Sequence, residues 1–116
     1  MGYQRHPANF IKKQGLMLNP KGRINMIHRD DCISIIQGII DKNLWGEVFN
    51  AVADEHPTRE DFYCAAANQR NKPKPVFSNE PPTDYKIISN EKISKKLHYQ
   101  FKYPDLLQLL KQDVFK

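Results

Sequence analysis

Four consecutive residues, His28-Arg29-Asp30-Asp31, carry side chains able to do acid–base or metal chemistry. Their setting argues for a structural duty instead. The preceding residues end a strand-like segment and an apolar helix follows, so His28 closes the strand and Asp30 or Asp31 caps the helix. Neighbouring helical side chains differ by about 100° in direction, so the two carboxylates do not converge on one substrate. His56 and Arg59 flank a second strand-to-helix loop, a natural anion position, although Glu60 and Asp61 already occupy its positive end. Cys32 and Cys64 lie among apolar neighbours, outside any CxxC or His/Cys ligand spacing. They read as reduced, buried thiols rather than zinc ligands. No Ser/His/Asp constellation or paired-carboxylate pattern is visible, so no catalytic and no metal residue is assigned.

The elements that must position these groups follow from patterning. Residues 1–22 read as a loop with a short helix around 7–18, punctuated by Gly15 and by Asn19-Pro20-Lys21-Gly22. Residues 23–70 form a strand–helix–strand–helix core. Residues 23–28 alternate as a strand, and a helix runs from the Asp30-Asp31 cap to about Asn43. Cys32, Ile33, Ile35, Ile36, Ile39 and Ile40 make that helix apolar around most of its circumference, so it should be pressed between two layers. Glu47 to Val52 alternate as a second strand, and Thr58 starts a helix whose packing face is Phe62, Tyr63, Ala66 and Ala67. Residues 71–84 are a proline-rich surface crossing. Residues 85–116 hold a strand at 85–89, a helix from Glu91 to Leu97 capped by Asn90, and a last helix opened by Pro104 with Leu106, Leu107, Leu109 and Leu110 on its buried side.

The 116 residues make one small domain with a modest core, 40% of them hydrophobic, under a polar surface of mean hydropathy −0.68. No apolar run approaches the ~20 residues of a membrane span, and residues 1–7 show no apolar signal core, which makes the cytoplasm the default expectation. The net charge of +5 suits an anionic partner. Its basic residues are scattered, without an arginine-rich block or an aromatic-interleaved stripe, so a nucleic-acid partner is not expected.

The order of the segments carries more than any one of them. Ile27-His28-Arg29-Asp30-Asp31 feeds an apolar helix, then Gly46-Glu47-Val48-Phe49-Asn50 exits through Asp54-Glu55-His56-Pro57-Thr58 into a helix bearing Phe62-Tyr63. Ser89-Asn90-Glu91-Lys92-Ile93 with Leu97 leads to Tyr99-Gln100-Phe101-Lys102-Tyr103-Pro104 and a leucine-rich helix. This order resembles the C-terminal, substrate-binding part of the NAD-dependent epimerase/dehydratase family, the extended short-chain dehydrogenases, over residues 2–110. His98 stands where that family usually has glycine.

The resemblance implies an α+β lobe with about four helices and three or four short strands, with the Rossmann domain absent. It places Gly2 to Pro7 on the loop that bends over the substrate. Arg5 and His6 then become substrate-binding candidates, Arg5 through its planar fork; Arg59, from its place at a helix start, is the third candidate. The implied ligand is nucleotide-sugar-like. The family's full-length members use NAD or NADP, yet the glycines at 2, 15, 22, 38 and 46 make neither GxGxxG nor GxxGxxG, and no tyrosine has lysine four residues on. The expected function is a truncated substrate lobe, inactive and without cofactor alone, completed by a separate cofactor-domain chain or joined as a homo-oligomer. A non-enzymatic interaction module or scaffold on the same fold is the alternative, and a small basic nucleic-acid-binding protein a more distant one. Leaving about 400 Å² of once-covered apolar surface open would forgo about 10 kcal/mol.

Overall fold

The computed structural model describes residues 1–11, 16–81 and 84–112. It contains a 3-10 helix, Pro7–Phe10, and four α-helices: α1 (Arg29–Asp41), α2 (Arg59–Gln69), α3 (Glu91–Leu97) and α4 (Leu106–Leu110). Strand content among the described residues is limited to isolated bridges pairing Gly2 with Arg5, Met17 with Phe77, and Arg23 with Thr58. The four helices match expectation; the strands do not. A strand needs a neighbour about 4.8 Å away, and residues 23–28 meet only fragments: Ile24 N–H donates to Pro57 O and Ala53 N–H to Met26 O. Asn25 stands in for a strand against residues 86–88, its amide donating to Lys86 O and accepting from Ile88 N. Residues 48–51 make no backbone–backbone hydrogen bond at all among the described residues. The short helix around 7–18 is a single 3-10 turn at its start, and residues 12–15 lie outside the described residues.

α1 starts differently from the sequence reading. The cap is His28, in extended conformation, whose Nδ1 accepts from Asp30 N at 3.1 Å. Asp30 stays at the surface near Arg29, and Asp31 turns fully inward. The helix ends at Asp41, where Asn43 takes a positive φ of 53°. Nor is α1 pressed between two layers. Ile35 is buried against Ile93 and Leu97 of α3, with Ile39, Leu44, Phe49 and Phe101 packed alongside. Ile33, Ile36 and Ile40 remain 56, 53 and 46% exposed.

The larger core lies between α2, α4 and the 3-10 helix. Phe62, Tyr63 and Ala66 of α2 meet Leu106, Leu109 and Leu110 of α4, with Ala8, Met17, Ile24, Ala53 and Tyr103 filling around them. Thr58 caps α2 as its capping-box pattern predicts, its hydroxyl accepting from Asp61 N at 3.1 Å. Asn90 sits at the N-cap of α3 without capping it. Its amide donates instead to Val52 O and Asp54 Oδ1, while the Ser89 hydroxyl takes Glu91 N. Pro104 does not open α4, because Asp105 supplies the cap with Oδ1 accepting from Leu107 N and Gln108 N. Cys32 and Cys64 are unbonded thiols, half-buried rather than enclosed. No helix among the described residues is long and apolar enough to cross a membrane.

Candidate functional site

His6 closes a tight turn, Gly2 to Arg5, and caps the 3-10 helix with Nδ1 accepting from Ala8 N at 3.1 Å. Its ring is almost fully buried. Burial first, then the cations Arg70 and Lys72, lower its pKa from 6.5 to about 4. It is a neutral packing histidine, and Arg5 beside it points outward over the Phe10 ring at 5.3 Å. The pH dependence follows from the shift. The unfolded chain takes up a proton below about 6.5 and the folded chain resists until about 4. Stability from this group is therefore complete above pH 6.5 and is lost as pH falls toward 4, a change on the order of 3 kcal/mol. Urea midpoints measured from pH 7 to pH 4 should show that decline, and His6→Gln should flatten it.

Arg59 lies at the opposite end of α2 from Arg70, about 16 Å away along an eleven-residue helix. The chain therefore does not bring Arg5, His6 and Arg59 to one place. The first amides of α2 are also taken: Arg59 N donates to Gly22 O, Glu60 N to Pro20 O and Asp61 N to Thr58 Oγ1. No helix N-terminal amide is left there for an anion. The Arg59 guanidinium packs over the Tyr63 ring at 5.4 Å and donates from Nε to Leu18 O at 3.2 Å.

Arg59 instead borders a different recess. A shallow pocket of about 110 Å³ lies between the 18–19 turn and the proline-rich crossing, lined by Leu18, Asn19, Ser78, Glu80 and Pro81. Asn19 holds a positive φ of 55°, and its Oδ1 is buried with no hydrogen-bond partner among the described residues. Gly22 closes the corner: a Cβ there would stand 2.6 Å from Asn19 Nδ2 and 3.1 Å from Arg59 Cδ. The far wall is held by Met17, whose N–H donates to Val76 O and whose carbonyl accepts from Ser78 N. Ser78 Oγ in turn accepts from Glu80 N. Most of the exposed lining is apolar; its polar groups, the Asn19 amide, the Ser78 hydroxyl and the Glu80 carboxylate, suit ligand hydroxyls, with the Arg59 guanidinium nearby. The sequence reading missed Asn19, Ser78 and Glu80; the Asn-Pro-Lys-Gly turn was its one available signal.

The size is decisive. Sites that hold a whole small ligand run to about 300–1,000 Å³, so this recess is one corner of such a site at most. No family model matches the chain. The protein YeeZ of Escherichia coli K12 is 30% identical over 108 residues, as is YeeZ of Escherichia coli O157:H7, covering 92% of this chain and 39% of theirs. A solved structure, of a functionally unknown conserved protein from Silicibacter pomeroyi DSS, matches with a TM-score of 0.73 at 22% identity. It covers all of this chain and 47% of that one. The likeness is one of fold. The chain spans about two-fifths of the length of the curated relatives it matches.

The described glycines are scattered: Gly2 against Arg29, Gly22 against Asn19 and Arg59, Gly38 facing Leu97, and Gly46 in an open turn at φ 76°. They build no phosphate cradle. Among the described residues no three His, Cys, Asp or Glu side chains converge on a metal position.

Proposed function

We propose that this chain is the substrate-side lobe of a two-part protein related to nucleotide-sugar epimerases and dehydratases, with no chemistry of its own. The observation that carries this reading is the small recess, a mostly apolar corner holding an amide, a hydroxyl and a carboxylate, too small for a whole ligand and with Arg59 bonded to its Leu18 wall. Asn19 Oδ1, Ser78 and Glu80 would hold sugar hydroxyls, and Arg59 would meet a phosphate. Reactive groups and any NAD or NADP would come from the other part. The alternative, an interaction module or scaffold, draws support from the exposed isoleucines of α1.

Titrating UDP-glucose, NAD and inorganic phosphate into the chain tests the proposal. UDP-glucose should bind at millimolar concentration and move the amide resonances of Leu18, Asn19, Ser78 and Glu80. Arg59→Gln should weaken it at least tenfold, the loss of one charge-assisted contact worth about 1.4 kcal/mol or more. Micromolar NAD binding, or UDP-glucose binding indifferent to Arg59→Gln, would reject this division of labour.

A further inference from the structure

The basic residues are scattered along the chain, but the fold gathers half of them. Residues 1–29 and 62–79 hold nine of the 18 basic residues and none of the 13 acidic ones. These two segments lie against each other. The 3-10 helix packs on α2, and further along Met17 N–H donates to Val76 O while Met17 O accepts from Ser78 N. The rest of the chain sets nine bases against all 13 acids. The net charge of +5 therefore conceals one strongly positive region beside a mildly acidic remainder.

The cations meet around the 3-10 helix. Arg5 lies over the Phe10 ring at 5.3 Å, and the Lys72 ammonium donates to Asn9 Oδ1 at 3.4 Å, so adjacent residues of one turn each carry a cation. Arg70, at the C-terminal end of α2, joins Lys72 in opposing protonation of the buried His6. Lys72 and Lys74 each precede a proline, which keeps them extended and sets them about 6 Å apart along the chain. All four basic residues are exposed, and among the described residues none of them forms an ion pair. Cys64 feels Lys74 together with Glu60 and Asp61, so the positive region ends there.

Cations without carboxylates attract a polyanion, and the geometry narrows its kind. A membrane surface calls for a basic amphipathic helix, whereas these cations stand on a turn, a helix end and an extended crossing. A lone phosphate calls for a concave pocket, whereas these are strung out. Phe10, 52% exposed, adds a flat apolar face that phosphates do not need and bases do.

We infer that the face formed by Arg5, Phe10, Arg70, Lys72 and Lys74 binds single-stranded nucleic acid. Its cations meet successive phosphates, and the Phe10 ring with its stacked guanidinium receives a base. Four charge contacts and one stack make a weak, sequence-tolerant site. It lies at the Arg70 end of α2, away from the recess beside Arg59, and stands independently of the ligand reading above.

The test follows the fluorescence anisotropy of a labelled oligouridine of about 20 nucleotides mixed with the intact chain. Binding should have a Kd of about 10 μM at about 50 mM salt, and log K should fall against log salt with a slope of about −3, roughly 0.7 per cation. Lys72→Gln combined with Lys74→Gln should halve that slope. Phe10→Ala should weaken binding at least about fivefold and leave the slope unchanged. Lys95→Gln combined with Lys96→Gln, two cations of α3 outside the face, should change neither quantity. Thermal melts like the parent's show that each variant is folded, and the lysine pair decides the matter if Phe10→Ala is not. No binding at low salt, a slope indifferent to Lys72 and Lys74, or an equal effect of the α3 pair would overturn the assignment. So would full affinity in a folded Phe10→Ala chain, which would leave a general polyanion surface. Tighter binding to phosphatidylserine vesicles than to oligouridine would overturn it in favour of a membrane contact.

Discussion

An Asp31→Ala chain is expected to lose about 4 kcal/mol of stability, enough to leave it largely unfolded at 37 °C. Asp31 is completely buried at the first turn of α1, where three donors from 68 to 72 residues away converge on it. Tyr99 Oη donates to Oδ1 at 2.5 Å, Lys102 N to Oδ1 at 2.7 Å and Tyr103 N to Oδ2 at 3.0 Å. Alanine removes the acceptor that all three donors share and leaves the buried Tyr103 N–H without its partner. Tyr99→Phe removes one donor only and should cost about 1 kcal/mol. The pair also sets an alkaline limit. Burial, then the Asp31 hydrogen bond, push the Tyr99 pKa from 10 up to about 12. The fold thus prefers the protonated phenol, and its contribution is intact below pH 10 and lost as pH rises toward 12. Urea denaturation of the three chains at pH 7 and pH 11 checks both statements. An Asp31→Ala midpoint within 1 kcal/mol of the parent would show that the C-terminal segment is held by something else.

Asp31 also marks the boundary of what the sequence discloses. A local pattern sees an aspartate at a helix start and reads a cap; it cannot see Tyr99, Lys102 and Tyr103 arriving from the far end of the chain. The cap passes to His28 because the carboxylate is taken. Features that depend on neighbours in sequence are legible: the Thr58 cap, the α2 face of Phe62, Tyr63, Ala66 and Ala67, and α3 over Glu91–Leu97. The strands are illegible for a different reason. Alternation holds along 47–51, where one face is covered, and fails at the buried Val52; a strand is completed only by hydrogen bonds to another chain segment, and residues 48–51 make none to the backbone of the described residues. The candidate pocket fails likewise, since Asn19 and Ser78 belong to loops some 60 residues apart. Of the three sequence candidates only Arg59 borders it. Arg5 and His6 sit at the other end of α2, because the N-terminal loop packs against Arg70 and Lys72 rather than over the recess.

A buried ring and an exposed isoleucine differ in what removing the side chain should cost, and Phe62 gives the sharper measure. It is wholly buried on α2, edge-on to Tyr63 with ring centroids 5.3 Å apart, among Leu106, Leu109 and Leu110. Phe62→Ala should destabilise the chain by about 4 kcal/mol, since it forfeits the buried ring and leaves a cavity that α4, anchored by its Asp105 cap, cannot fill by collapse. A domain of this size holds about 5–15 kcal/mol in total, and one with an uncovered isoleucine stripe belongs toward the low end. Phe62→Leu retains most of the volume and should cost about 1 kcal/mol. Ile36→Ala, taken from the exposed face of α1, should cost less than about 0.5 kcal/mol in the same chain. Urea midpoints with matched slopes rank the three. The contrast matters more than any single value: Phe62 stabilises the lobe itself, whereas Ile36 has little to do until another surface covers it. Equal losses at Phe62 and Ile36 would mean that α1 is already covered in solution, and that its isoleucines belong to the lobe's own interior.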